Sequence, residues 1–212
     1  MAGQGIRAED WLLAGEWSEA LGADVDVAFY AHHLHRGTAQ GAQDDPSSLE
    51  PGAQELLVDW TELLRPGLSI PQGPRTARAR QAVDWITRNF GAAARVFAIA
   101  FCREVHTYLS TPDSPRRAAV RRTVADAITQ RRPNVIVAHS LGSVVTYETL
   151  WAHQDHDVDL LITIGSPLAI PRTGLREHFD GVERDITVVI GEWDFHTATA
   201  YLRNPEVAAL FA

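Results

Sequence analysis

NVIVAHSLGSVVTYETL, residues 134–150, is the stretch on which the fold turns. Val135, Ile136, Val137 and Ala138 form a short apolar run rich in β-branched residues, which reads as a buried strand. A helical pattern follows over 143–153, and His139 and Ser140 fall at the junction of the two. A serine on a sharp strand-to-helix turn needs small neighbours on both sides, because their side chains would otherwise meet the adjacent backbones. Ala138 and Gly142 meet that need, giving a small-x-Ser-x-Gly nucleophile-elbow pattern with alanine in place of the first glycine. Such a turn lifts the hydroxyl clear of the sheet. The helix that follows aims its first N–H groups at the same spot, so the amide of Leu141 is placed to donate to a developing oxyanion. The competing reading makes Ser140 a plain helix N-cap, with Ser143 of Ser-Leu-Gly-Ser offering a second capping hydroxyl. Capping accounts for the start of the helix but not for a His-Ser pair closing an apolar strand.

Working outward, the runs VDLLITI at 158–164 and ITVVI at 186–190 repeat the short apolar rhythm, separated by helical or Gly/Pro-containing segments. That alternation predicts an α/β fold, a mainly parallel sheet flanked by helices. Towards the N-terminus, residues 7–21 set Trp11, Leu12, Ala14, Trp17 and Leu21 on a helical stripe, with Gly22 as a stop. VDVAFYA at 25–31 alternates like a strand. Residues 36–52 are too polar to bury themselves and read as a loop. Helices are expected over 53–64, 76–89 and 115–130, and after Pro205. The stretch 91–109 contains VFAIAFC, which alone would pass as a strand, but its length and alanines favour a helix. The expected organisation is one domain over 1–212 with a helical insertion at 53–130.

Composition narrows the chemistry. The chain of 212 residues has 27 acidic against 19 basic residues and a net charge of -8, which argues against a nucleic-acid partner. All 19 basic residues are arginine, so a Ser-Lys dyad, a Schiff-base lysine and a P-loop lysine are excluded. The one cysteine, Cys102, lies in an apolar stretch and reads as core. Neither a signal segment nor a membrane-spanning run is evident, and a reducing cytoplasm is the expected compartment. His32, His33 and His35 lack a carboxylate or cysteine partner at ligand spacing and read as a pocket rim. His153, Asp155, His156 and Asp157 read as a solvated turn, so no metal is expected. Trp11, Trp17 and Trp60 read as packing.

AHSLGSVVTYETL and LLITIGSPLAIP, between Asn134 and about Pro171, resemble the serine-hydrolase branch of the α/β-hydrolase fold, especially small bacterial esterase- or lipase-like proteins. The resemblance is close from Asn134 onward and only an outline before it, with VDVAFYA in the place of a core strand. It implies that Ser140 is the nucleophile and that His196, in the loop after ITVVI, is the base. Leu141 and an N-terminal amide near Gly3 would supply the oxyanion donors. Asp194 is the preferred acid, with Asp180, Asp185 and Glu192 left open. The reaction implied is hydrolysis of an ester, thioester or amide in a small-molecule substrate, without cofactor. Against the family pattern the chain reads as shortened at its N-terminus and between Pro171 and Asp185. That shortening supports two alternatives, a non-catalytic homologue serving as a binding or scaffold protein and a cyclisation or acyl transfer in the same pocket. It also leaves open a homo-oligomer in which a second copy fills the place of the first strand that the family pattern has and this sequence does not show.

Overall fold

A computed structural model describes residues 8–34, 45–64, 70–170, 186–189 and 198–208. The helices are α1 (Ala8–Leu21), α2 (Pro51–Leu64), α3 (Arg75–Phe90), α4 (Ala92–Leu109), α5 (Pro115–Arg131), α6 (Leu141–Ala152), α7 (Ala198–Leu202) and α8 (Pro205–Ala208). The strands are β1 (Val135–His139), β2 (Leu160–Ile164) and β3 (Ile186–Val189). The chain divides into two compact units, one of Met1–His32, Val120–Ser166 and Glu183–Ala212, the other of His33–Ala119 and Pro167–Val182.

The first unit holds the strands, parallel and in the order β1-β2-β3. Val135 pairs with Leu160 and His139 with Ile164, so β1 and β2 are in full register, and α6 is the crossover between them. Side chains alternate across a strand. Ile162 and Ile164 therefore share a face, and they pack with Trp17, Leu202 and Val207 in a buried cluster bordered by Leu13, Leu21, Val25, Val137 and Tyr201. Ala138 belongs to the opposite face and is itself buried. At the start of the pair, Arg132 binds Asp157, and the Asn134 side-chain amide reaches the Asp157 carbonyl at 3.3 Å and Asp159 Oδ2 at 3.1 Å. The charged turn at 153–157 is thus in part a fastening between the two strands.

The second unit is helix on helix, with α2, α3 and α4 packed against one another. Ala79, Ala82, Val83 and Ile86 of α3 are buried at helical spacing, as are Ala98, Ile99, Cys102 and Val105 of α4. Trp60 of α2 lies against Phe101, ring centres 4.9 Å apart. Gly91 ends α3 and starts α4 with φ 88° and ψ 179°, a conformation that essentially only glycine adopts. Burial raises the pKa of the Cys102 thiol, which makes it a core residue and a poor nucleophile.

These findings correct the expected fold class. The described chain is mainly helical, with six helices of 12 to 18 residues, and its sheet consists of strands of five, five and four residues. It is not a mainly parallel sheet flanked by helices, nor α/β-hydrolase-like in that sense. Two local expectations change with it. Residues 24–30, including most of VDVAFYA, belong to no strand and form no ladder among the described residues. Leu12, placed on the buried stripe of α1, is 69% exposed, and Leu13 packs on the cluster instead.

Candidate functional site

Ser140 follows β1 directly and precedes the first residue of α6. Its backbone has φ 56° and ψ -131°, a positive-φ conformation that costs a non-glycine residue about 1 to 3 kcal/mol. Arg132 is the other non-glycine residue with positive φ in the described chain, so such residues flank β1 on both sides. Ser140 occupies the N-cap position, yet its side chain makes no capping hydrogen bond. The plain N-cap reading therefore does not account for the serine. Its side chain is partly exposed.

Surrounding contacts hold this conformation from several sides. The Ser140 N–H donates to the Ile164 carbonyl at 2.9 Å, which carries the β1–β2 ladder one residue beyond the strand. Its carbonyl accepts from the Ser143 N–H at 3.0 Å and from the Ser143 hydroxyl at 2.6 Å. Ser143 is fully buried, and its oxygen is also 2.6 Å from that of Ser166. Since the Ser143 proton goes to the carbonyl, the Ser166 hydroxyl is the donor in the second bond. The relay ties the turn to the loop that follows β2.

Small residues flank the turn as the sequence pattern requires. A β-carbon at Gly142 would lie 3.3 Å from the hydroxyl oxygen of Tyr30, so glycine is what lets that side chain approach the start of α6. His139 projects to the face of the cluster, its ring centre 6.2 Å from that of Tyr201. Burial raises the pKa of Tyr201. Leu141, the first residue of α6, is buried, and its position at the helix start leaves its N–H without an intrahelical acceptor.

Of the residues singled out from sequence, Ser140 and Leu141 are brought together at this turn. His196, Asp194, Gly3, Asp180, Asp185, Glu192 and His35 lie outside the described residues. His32 ends the first unit on a 3-10 turn at Ala31–His33, stacked on Phe29 with ring centres 6.5 Å apart. No group of three or more His, Cys, Asp or Glu among the described residues is arranged to hold a metal ion. No described helix is long and apolar enough to cross a membrane.

Sequence reading took Ser143 only as a second capping hydroxyl and missed Ser166 and Tyr30. Ser143 carried a signal in its spacing of three from Ser140, which suits a side chain folding back on the first turn of a helix. Ser166 and Tyr30 carried none, because both reach the turn through tertiary structure. Comparison of the chain with protein-family models, with curated proteins and with solved structures finds no match.

Proposed function

We propose that the protein is a serine hydrolase acting on an ester, thioester or amide bond of a small molecule, with Ser140 as nucleophile. The observation that carries the reading is the backbone of Ser140, φ 56° and ψ -131°, at a strand-to-helix turn where the hydroxyl is not spent on capping. A serine held at energetic cost, with no capping bond to repay it, is the kind of local strain that accompanies function.

In the proposed reaction the Ser140 oxygen forms a bond to the carbonyl carbon as its proton passes to a base, the role assigned to His196 with Asp194 as its orienting acid. The carbonyl π pair becomes the oxyanion, held by the Leu141 N–H and by an N-terminal amide near Gly3. Collapse of that intermediate breaks the bond to the leaving group, which takes the proton from the base. Water, activated by the same base, then releases the acyl group and restores the serine hydroxyl. The chemistry needs no cofactor. The single, buried thiol suits a reducing compartment, and we assign the enzyme to the cytoplasm.

Reaction with a fluorophosphonate probe tests the proposal, since only an activated serine is labelled. The full-length protein should be labelled on Ser140, and Ser140→Ala should abolish both labelling and turnover of short p-nitrophenyl esters, a loss of about 10³-fold or more. A parent protein that resists the probe, or a variant that keeps its turnover, refutes the assignment.

A further inference from the structure

We infer that the Tyr30 hydroxyl is an oxyanion donor in this site, a catalytic group that acts with the Leu141 N–H. The inference rests on the proposed serine chemistry and adds a residue to it.

Two contacts fix where Tyr30 lies. Asp26 forms an ion pair with Arg131 at 3.4 Å, just before β1 begins. Four residues later, the Tyr30 hydroxyl sits against Gly142, just after β1 ends. Residues 24–30 belong to no helix or strand, and the four residues from Asp26 to Tyr30 can cover about 13 Å at most when extended, close to the length of β1. The segment therefore runs in the same direction as β1. It is anchored at its start by the Val25 N–H, which donates to the Ser18 hydroxyl at 3.1 Å, and Val25 borders the buried cluster. Tyr30 thus arrives at the carboxyl end of the parallel strands, where α/β sheets bind their ligands.

The direction of the approach identifies what the hydroxyl faces. On a helix each Cα–Cβ bond tilts towards the N-terminus, so the space beside a residue's β-carbon lies over the preceding turn. A hydroxyl 3.3 Å from a β-carbon at Gly142 accordingly lies towards the N-terminal end of α6, where the Ser140 turn is, and not further along the helix. A phenol is a strong donor with only two side-chain torsions to fix. Placed beside a helix N-terminus, it adds a second dipole directed at the charge that develops on the substrate oxygen.

The test compares Tyr30→Phe, which removes one oxygen and keeps the ring, with the parent and with Ser140→Ala. The rate of fluorophosphonate labelling should fall about 10²-fold in Tyr30→Phe, as expected for the loss of one oxyanion donor. A trifluoromethyl ketone, whose adduct with the serine carries an oxyanion, should lose a similar factor in its protection against labelling. The KM for p-nitrophenyl butyrate should change less than about threefold, because the donor acts on the developing charge. Gly142→Ala should displace the hydroxyl and slow labelling in the parent, but add little in the Tyr30→Phe background. If Ser140 is labelled at an unchanged rate in Tyr30→Phe, or if KM rises as much as kcat falls, Tyr30 is not an oxyanion donor while the serine assignment stands. If the parent itself is not labelled, the serine assignment falls and the role of Tyr30 falls with it.

Discussion

Replacing Ser140 by glycine should make the protein more stable while removing the proposed nucleophile. The positive φ of Ser140 is worth about 1 to 3 kcal/mol of strain in a residue with a β-carbon, and glycine relieves it. Against this, glycine adds freedom to the unfolded chain, which costs about 0.4 to 1 kcal/mol. The balance is a gain of about 1 kcal/mol, or roughly 2 to 4 °C in Tm for a chain of this size. Ser140→Ala keeps the strained backbone and loses no capping bond, so it should stay within about 0.5 kcal/mol of the parent. A serine that caps α6 gives the opposite pattern. Alanine would then cost about 1 kcal/mol and glycine a few tenths, with neither variant above the parent. Urea denaturation followed by circular dichroism separates the cases through the order of the three midpoints. Glycine at or below the parent, or alanine lower by 1 kcal/mol or more, would refute the argument from strain.

Ser143→Ala should cost about 1 to 3 kcal/mol, because it removes both hydrogen bonds of a fully buried hydroxyl, to the Ser140 carbonyl and from the half-buried Ser166, and it should slow fluorophosphonate labelling as well. The measurement is a denaturation midpoint paired with a labelling rate, and a loss of neither speaks against the relay as a support for the turn. In the core, Ile162→Ala should destabilise by about 2 to 5 kcal/mol. Leu12→Ala, on the exposed side of α1, should fall within about 0.5 kcal/mol of the parent by the same assay.

The turn at Ser140 was legible because its requirement is local. A strand, a small residue on either side of the serine and a helix start all fall within a few positions, and each leaves a mark on residue type. Helix α4 was legible for a related reason, since VFAIAFC is ambiguous alone but not within an alanine-rich run of 18 residues. The weight of the sheet was not legible. Apolar runs located the three strands among the described residues, yet a run of four or five residues says nothing about how many neighbours join it. VDVAFYA shows the difference clearly: its residue types alternate, yet it enters no ladder among the described residues, and Val27, Ala28, Phe29 and Tyr30 are all half-buried in succession. Leu12 and Leu13 are adjacent on α1, and the turn of the helix that buries one exposes the other, a choice decided by the cluster around Trp17. The hydroxyl pair of Ser143 and Ser166 bridges 23 positions of sequence and depends on the register of two strands, which no local pattern records.

That register has a consequence for the fidelity of the site. The Ser140 N–H bonds to the Ile164 carbonyl, so the serine is aligned with β2 by the same ladder that pairs Val135 with Leu160. Side chains alternate with a period of two, and a slip of one residue would send every side chain of β1 to the opposite face. The Ser140 hydroxyl would be misdirected by an error made at the far end of the pair, about 17 Å away along five residues of strand. There Asn134 spans from β1 to Asp157 and Asp159, which makes it the proofreader of a position it never touches.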